Sequence, residues 1–437
     1  MDRLHQVTAS TWSKPQRTTT RIVLGLVLLC LISLHQVWTA VRLGPTTRAT
    51  ETELGILAIL SHSGNKTVGR PSQSFPNETF SACLLVMDDN HKLREWLAYH
   101  YFALPLRTLI VAVDPYSLTK PTHVLDLWRK YQGMTILEWT DDDFLPYNHS
   151  SRYYQSHETH EELHAKHVFR QSTFYKQCAH HLKVHYNASW TAFIDTDEFL
   201  TFNPGKVPNS DDLLKQPGSI LRWIKDTKRY NKTTLSHVWP YSKLLFDEEV
   251  YNGTTSICPP LPRLLYNAQD TLVNGTNEID QSIVAKNVPS YVNATQFLTL
   301  RYRYPANKRS HKNGPTKSIA DLTKVPMDVF SRSSGGPHKP LPGICLLGTW
   351  GYKDMPLVVH HYLGSWESFS YRTNDSRNHN ETGRNYYRWE KQNARNGGEP
   401  DDAIRSWISG FVDYVGGKER AKLLLDRVGV LEPKPTT

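Results

Sequence analysis

The chain has 437 residues, with 51 Lys and Arg against 42 Asp and Glu, which gives a formal net charge of +9. This length accommodates one large domain or two ordinary ones, each with a real hydrophobic core. The basic balance does not indicate a nucleic-acid partner, because no basic run is interleaved with aromatic residues as in a recognisable nucleic-acid module. We expect a generally basic surface, which suits anionic nucleotides or acidic glycans.

An apolar stretch near the N-terminus predicts a membrane anchor. Residues 22–41 are twenty mainly apolar residues, enough to span a bilayer as one helix. Four basic residues precede them in 1–21, so the positive-inside rule places that tail in the cytoplasm. A cleaved signal peptide is the alternative, but the charged leader is long and no convincing small-x-small cleavage site follows. We predict a single-pass type II protein whose remaining residues lie in the lumen of the Golgi or ER.

Glycosylation sequons support the lumenal location. The chain has ten Asn-x-Ser/Thr sequons, and all of them lie beyond the predicted span. One of them, at Asn187, abuts a predicted core strand, so some sequons are expected to be unused. The sequons begin at Asn65, Asn77, Asn148, Asn187, Asn231, Asn252, Asn274, Asn293, Asn374 and Asn380.

The cysteines fit an oxidising compartment. Cys30 lies in the predicted span, which leaves Cys83, Cys178, Cys258 and Cys345. In an oxidising lumen these four allow two disulfides in three connectivities, and their spacing does not resemble a zinc site. Cys83 and Cys178 fall in strand-like and helix-like segments, so buried thiols are the alternative.

Beyond the predicted span, we expect a lumenal stem at 42–79, a folded domain at 80–431 and a short tail at 432–437. The first half of the folded domain alternates between apolar runs of strand length and segments of helical periodicity. This alternation predicts an α/β domain with a mostly parallel sheet flanked by helices. The predicted strands are 82–87, 109–113, 134–139 and 190–194, and the predicted helices are 91–101, 122–131 and 158–186.

Carboxylates follow three of these strands, at Asp88 and Asp89, at Asp114, and at Asp195 and Asp197. Ligands of parallel α/β sheets lie beyond the carboxyl ends of the strands. Side chains alternate along a strand, so residues at i and i+2 point to the same side. The last two carboxylates therefore predict a site for Mg²⁺ or Mn²⁺, which prefer oxygen ligands and are often shared with substrate phosphates. An exposed acidic turn is the alternative.

Two other clusters are weaker candidates for a metal site. The acidic run 141–143 is typical of a solvated turn. His157, His160, His164 and His167 could share one face of the long helix, and paired histidines on a helix face can bind zinc. Neighbouring glutamates make a polar, hydrated face the preferred interpretation.

The second half of the folded domain has weaker periodicity and frequent Pro and Gly. It predicts a loop-rich region that shapes a binding site on a rigid scaffold. A short strand ends directly before His360-His361-Tyr362. Strands are expected at 219–224, 282–285, 297–302 and 357–359, and helices at 401–415 and 418–428.

Several of these segments resemble glycosyltransferases of the GT-A fold, in the family 2-like and family 92 (DUF23-like) group. The most specific pieces are the EWLAYH segment at 95–100 and the FIDTDEF segment at 193–199, and the resemblance covers about 81–200. The segments 317–319 and 360–362 are also similar to family features. The chain departs after the first strand, where such families often carry Lys/Arg-Asn-Glu and this chain has Asp88-Asp89-Asn90.

The resemblance implies a Rossmann-like catalytic domain, a nucleotide-sugar donor, Mn²⁺ or Mg²⁺, and inverting transfer to a glycan or glycoconjugate. It implies that Asp195 and Asp197 bind the metal on the donor's diphosphate and that His361 or His360 completes the metal shell. A hydrogen-bonded core pair is the alternative for the two histidines. The resemblance further implies base or ribose contacts from Asp114 and Asp89, and contacts to the leaving diphosphate from Lys317 or Arg372.

An inverting transfer needs a carboxylate that deprotonates the acceptor hydroxyl. Asp280, Asp354 and Glu367 are the candidates, and Glu367 is preferred because it is close in sequence to His361. Glu95 and His100 are expected to pin the first helix to the sheet, since the aromatic residues beside them look structural.

Two other functional classes are compatible with these features. A glycosidase also uses paired carboxylates, but these flank the scissile bond roughly 5–10 Å apart, and a pair at i and i+2 suits one metal better. A non-catalytic lumenal glycan-binding protein would share the anchor, the sequons and the aromatic residues. Loss of Asp195 would matter little to such a protein.

Overall fold

The structure is a computed structural model, and the residues it describes all belong to one compact unit, Arg70–Thr437. The predicted cytoplasmic tail, span and stem up to residue 78 lie outside the described residues, as does the strand expected at 282–285. Within the described part of the chain, no helix is long and apolar enough to cross a membrane. The described residues are 79–146, 160–230, 257–268, 288–306, 313, 315–332, 335–345, 355–372, 382–393 and 400–434.

A six-stranded sheet forms the centre of the described domain. Its first four strands in spatial order run parallel to one another. The fifth strand pairs antiparallel with the fourth and with the sixth. The predicted α/β class is confirmed. The prediction of a mostly parallel sheet is wrong: the sheet is mixed, because the second half of the chain adds two antiparallel strands. The spatial order is β3 (Thr135–Trp139), β2 (Leu106–Val113), β1 (Phe80–Val86), β4 (Trp190–Phe193), β8 (Lys317–Asp321) and β6 (Pro260–Leu261).

The domain also contains a second sheet, of three strands. It contains β5 (Glu198–Phe202), β9 (Leu357–Tyr362) and β7 (Arg263–Tyr266), in that order. β9 is antiparallel to β5 and parallel to β7. Only four residues separate β4 from β5, so the segment that contains Asp195 and Asp197 joins the two sheets.

Ten helices surround the sheets in the described part of the chain. The strand predicted at 219–224 is wrong, because Ile220, Leu221 and Ile224 lie on one helix face and are buried there. The strand predicted at 297–302 is also wrong, since 298–301 form one helical turn. The helices are α1 (Asn90–Ala103), α2 (Thr122–Gln132), α3 (His160–Tyr186), α4 (Ser210–Leu214), α5 (Ser219–Tyr230), α6 (Leu298–Arg301), α7 (Trp366–Ser370), α8 (Thr382–Asn393), α9 (Trp407–Tyr414) and α10 (Lys418–Leu425).

α1 is buried along its whole length, so its polar side chains need partners inside the protein. The carboxylate of Glu95 accepts hydrogen bonds from the backbone N–H groups of Leu298 at 2.6 Å and Thr299 at 2.9 Å, and so caps the short helix α6. Burial raises the pKa of Glu95 to about 7. His100 accepts from the Leu200 N–H at 3.4 Å and contacts the Trp96 carbonyl at 2.8 Å. His100 therefore anchors α1 to β5 of the second sheet, as expected, whereas Glu95 anchors it to the helix α6.

Two disulfides connect distant parts of the domain. Cys83 on β1 is bonded to Cys178 on α3, and Cys258 is bonded to Cys345. The prediction of two disulfides is confirmed, and the alternative of buried thiols is wrong. Both bridges are buried in the core on the α3 side of the main sheet, whereas the larger core on the other side contains α1.

Removal of the first bridge should destabilise the domain. Cys83 and Cys178 are 95 residues apart, so their bond removes much conformational entropy from the unfolded chain. For the double variant Cys83→Ser/Cys178→Ser we expect a loss of about 2–5 kcal/mol in the free energy of unfolding. Urea unfolding followed by tryptophan fluorescence measures this loss, and an unchanged midpoint would contradict the bridge.

Candidate functional site

The predicted carboxylates gather at the carboxyl edge of the parallel strands. β1, β2 and β4 end at the same side of the main sheet, and Asp89, Asp114 and Asp195 follow them. Lys92 in the first turn of α1 lies between Asp89 and Asp197. Its Nζ lies 3.9 Å from Asp89 Oδ1 and 3.8 Å from Asp197 Oδ2.

Asp195 and Asp197 lie in a turn between the two sheets. β4 ends at Phe193, the turn is closed by a hydrogen bond from the Glu198 N–H to the Asp195 carbonyl, and the Asp197 carbonyl accepts from the Tyr362 N–H at 2.9 Å. Both side chains are partly exposed and Thr196 between them is buried, so the expectation that the two carboxylates lie on one side stays a prediction. The two carboxylates face different partners.

Asp195 belongs to a buried ion cluster. The Nζ of Lys317, which is fully buried, lies 2.7 Å from Asp195 Oδ2 and 3.1 Å from Glu198 Oε2. Burial alone would lower the pKa of Lys317, but the two carboxylates raise it. Desolvation alone would raise the pKa of Asp195, although its effect is limited because the side chain is 42% exposed. The Lys317 ammonium outweighs desolvation and lowers the pKa of Asp195 below its usual range.

Sequence reasoning missed two members of this cluster. Glu198 is fully buried, accepts from the Asp195 N–H at 2.9 Å and pairs with Arg263 at 3.0 Å. Its position directly after the Asp-x-Asp segment was the available signal. No sequence signal indicated Arg263, the first residue of β7, because it is 65 residues from Glu198 in the chain.

Asp197 is less enclosed and contacts a histidine. Its side chain is 21% exposed, and its Oδ1 lies 3.8 Å from Nε2 of His361. Desolvation lowers the pKa of His361, although the neighbouring Asp197 acts in the opposite direction. The two side chains come from the turn and from β9, and both reach the solvent-accessible part of the site.

The neighbouring histidine faces the other side of β9. His360 is fully buried, its Nε2 lies 3.2 Å from the Tyr266 hydroxyl, and that hydroxyl donates to Asp401 at 2.8 Å. Burial lowers the pKa of His360 to about 4. The structure therefore separates the two candidates: His361 lies in the site and His360 is a hydrogen-bonded core residue.

Asp89 and Arg372, both predicted donor-binding residues, bind each other. The Nε of Arg372 donates to Asp89 Oδ1 at 3.1 Å, and its second nitrogen contacts the same oxygen. Burial would raise the pKa of Asp89, but Arg372 and Lys92 lower it. Asp88 organises the loop after β2, since it accepts from the backbone N–H groups of Leu118 at 2.7 Å and Thr119 at 2.8 Å.

Asp114 is held by an arginine from α3. Arg170 lies 3.4 Å from Asp114 Oδ2 and 2.7 Å from Asp141 Oδ1, and it is buried. Asp141 is therefore a structural partner, and the prediction of a solvated acidic turn is wrong for this residue. The prediction holds for Asp142 and Asp143, which are exposed.

Of the three predicted general bases, Glu367 is the one that lies within the described residues. Glu367 is exposed in the first turn of α7, and hydrogen bonds to its own N–H and to Ser365 lower its pKa. Asp280 and Asp354 lie outside the described residues, as does His157 of the histidine face.

Asp197 and His361 are described residues that could hold a divalent cation. With metal–ligand bonds of about 2.1 Å, neighbouring ligands lie about 3.0 Å apart and opposite ligands about 4.2 Å apart. The separation of 3.8 Å between Asp197 Oδ1 and His361 Nε2 falls between these values. Both carboxylate oxygens of Asp195 already have protein partners: Oδ2 accepts from Lys317 Nζ, and Oδ1 accepts from the Tyr175 hydroxyl at 3.3 Å. Across the described ranges, no group of three or more His, Cys, Asp or Glu side chains is already gathered for a metal.

Comparison of the chain with known protein families, curated proteins and solved structures finds no match. The function is therefore inferred from the residues and geometry of this site.

Acid should destabilise the domain through its buried histidines. Because the pKa of His360 is about 4, the unfolded chain binds a proton between pH 6.5 and 4 that the folded state excludes. Stability present above pH 6.5 is therefore lost as the pH falls through this window, by about 1.4 kcal/mol per pH unit for each such histidine. His360→Gln should reduce this slope in urea unfolding measured from pH 7 to 4.5, and an unaltered slope would show that His360 is charged in the fold.

The buried lysine should matter far more than a surface lysine. Lys317→Met leaves Asp195 without its ion pair and Glu198 with only Arg263, so we expect a loss of about 3–5 kcal/mol in unfolding free energy. Lys215→Met is the matched control, since Lys215 forms an ion pair at 2.8 Å with Asp212 on the surface. Equal effects of the two substitutions on the denaturation midpoint would contradict a buried cluster.

Proposed function

We propose that the chain is a metal-dependent glycosyltransferase, which moves a sugar from a nucleotide-sugar donor to a glycan or glycoconjugate acceptor in the secretory pathway, with inversion. One observation carries the proposal. The Asp195-Thr196-Asp197 turn follows a parallel strand at the carboxyl edge of the sheet, and Asp197 faces His361 at 3.8 Å. This edge is where ligands of such sheets bind.

Asp197 and His361 are the proposed protein ligands of Mn²⁺ or Mg²⁺, with Asp195 beside them. When bound, the cation neutralises charge that develops on the diphosphate leaving group. Lys317 acts through Asp195: it is fully buried, and its ion pair fixes the orientation of that carboxylate. This role replaces the direct diphosphate contact that the sequence suggested for Lys317.

The nucleoside is proposed to bind beside β2. Asp114 lies at the end of this strand, and Arg170 and the Tyr116 N–H, at 2.9 Å, fix its carboxylate. A fixed acceptor suits recognition of ribose hydroxyls or of a base N–H. Asp89 has a more indirect role, since it is buried against Arg372 and Lys92.

The general base is proposed among the three carboxylates that the sequence suggested. A base works best when its pKa lies near the working pH, so the lowered pKa of Glu367 weakens its candidacy. Asp280 and Asp354 are therefore stronger proposals than the sequence alone made them. All three are to be tested by the rate of transfer with donor and acceptor saturating.

The proposed location is the membrane of the Golgi or ER, with the catalytic domain in the lumen. The two disulfides support a secretory compartment, because such bonds persist in oxidising environments. The single-pass type II anchor at 22–41 remains a prediction from the sequence.

Nucleotide release tests the proposed function. The protein is incubated with Mn²⁺ and a panel of nucleotide sugars, and released UDP or GDP is measured with and without EDTA. We expect metal-dependent release that falls at least about 100-fold in Asp197→Ala, because a cation that stabilises the leaving group loses a ligand. Asp195→Ala should fall similarly, but it also unpairs Lys317, so its folding is checked by circular dichroism.

Asp142→Ala is the matched control, as Asp142 is an exposed aspartate near the same edge of the sheet. Its release rate should equal that of the wild-type protein. Absence of both turnover and metal-dependent nucleotide binding with every donor would exclude the transferase and favour the non-catalytic glycan-binding protein.

A further inference from the structure

Five consecutive polar residues are buried where α1 begins: the two before the helix and the three of its first turn. Asp88, Asp89, Asn90, His91 and Lys92 are each no more than 5% exposed. Charged side chains are rarely buried unless they are paired. The partners of this segment, which we name the 88–92 loop, therefore indicate what the protein uses it for.

Some of these partners come from α7 and the residues that follow it. The Ser368 hydroxyl is hydrogen bonded to His91 Nε2 at 2.8 Å, and the ring of Tyr371 packs edge-on against His91 at 5.5 Å. Arg372 binds Asp89. α7 follows β9, which carries His361, so this side of the loop is connected to the candidate metal site.

Other partners come from the loop at 117–120, and a third set comes from residues 429–434, which we name the C-terminal clasp. Asn90 Nδ2 donates to one carboxylate oxygen of Glu432 at 2.8 Å, and His123 Nε2 lies 2.8 Å from the other. The Gly429 N–H donates to the His91 carbonyl at 2.8 Å. Lys434 Nζ lies 3.9 Å from Asp88 Oδ2. The clasp thus contacts three of the five loop residues.

The contacts of the clasp with the loop are polar. Residues 429–434 are exposed or half-buried, and the last fully buried apolar residue of the chain before them is Val428. Packing of α10 against the core is complete by that point. Loss of the clasp should therefore cost local order at the loop more than it costs global stability.

The loop in turn positions a cation beside the Asp-x-Asp turn. Lys92 Nζ lies between Asp89 and Asp197, at 3.9 Å and 3.8 Å. We infer that the C-terminal clasp is a positioning element of the nucleotide-sugar site: Glu432 holds the 88–92 loop, and the loop sets Lys92 against Asp197. The identity of the ligand rests on the proposed function. The link from Glu432 through Lys92 to Asp197 rests on these contacts alone.

The test compares Glu432→Ala with wild type in the full-length protein, purified in mild detergent. Amide hydrogen exchange is followed at Lys92, whose N–H is bonded to the Asp89 carbonyl, and at Tyr362, whose N–H is bonded to the Asp197 carbonyl. Donor KM and kcat are measured in parallel. We expect exchange at both amides to accelerate about tenfold and the donor KM to rise about tenfold with kcat within about twofold, as for loss of one charged hydrogen bond.

Two further variants keep the test independent of the removed charge. Gly429 has φ of +71°, and a Cβ there would meet the Gln296 carbonyl oxygen at 2.2 Å, so Gly429→Ala should displace the clasp and give the same pattern. Glu432→Gln retains an acceptor for Asn90 and should recover most of the wild-type KM. Glu419→Ala, on the exposed face of α10, is the control and should change nothing.

Each outcome decides the inference. Unchanged exchange at Lys92 in Glu432→Ala overturns it, as does faster exchange at Lys92 with unchanged KM in an active enzyme. If the wild-type protein releases no nucleotide from any donor, the proposed function fails, and exchange at Tyr362 then decides: acceleration there supports the link from clasp to turn, and no acceleration overturns it.

Discussion

The geometry of the site depends on one buried ammonium group. Lys317 is fully buried and lies between Asp195 and Glu198, and Arg263 pairs with the far side of Glu198. An unpaired charge in such a position costs several kcal/mol, so each member requires the others. Lys317, Glu198 and Arg263 are the first residues of β8, β5 and β7, and Asp195 follows β4. The cluster therefore fixes the junction of the two sheets, and with it the turn that presents Asp197.

The charges around the proposed site are nearly balanced before any ligand binds. Asp195 and Glu198 face Lys317 and Arg263, while Asp89 faces Arg372 and Lys92 lies near Asp197. A diphosphate and a divalent cation together carry little net charge. A balanced site suits this pair better than either ion alone. The pair adds little net charge, so the protein need not supply an opposite charge. The proposed metal and donor are therefore expected to bind together, and not the free metal first.

The parts of the fold that local patterns determine were predictable from sequence. β1 to β4 and the helices between them follow from apolar runs and helical periodicity, and these place Asp89, Asp114 and Asp195 at one edge. Short apolar runs were ambiguous. The run that contains Ile220 and Ile224 was predicted as a strand but forms a helix face, because segment length and packing partners determine which element forms.

Contacts between residues far apart in sequence were not predictable. Lys317 is 122 residues from Asp195, and nothing in either neighbourhood indicates the pairing. Asp141 read as solvated because its partner, Arg170, comes from another helix. For His360 and His361, the sequence left both residues as candidates for the site. Only the packing of Tyr266 against His360 determines which of them faces the site.

The antiparallel pairing of β4 with β8 has a consequence for synthesis of the chain. β4 is complete when residue 193 is made, but its outer neighbour begins at Lys317 and the partner of β5 begins at Leu357. At roughly 5–20 residues per second, the nascent chain waits roughly 6–25 s with an open β4 edge and without the Lys317 partner of Asp195. The Cys83–Cys178 bridge can form during this interval, whereas the Cys258–Cys345 bridge cannot close until the second half emerges. Maturation of this protein is therefore expected to need a chaperone that covers the β4 edge while translation continues.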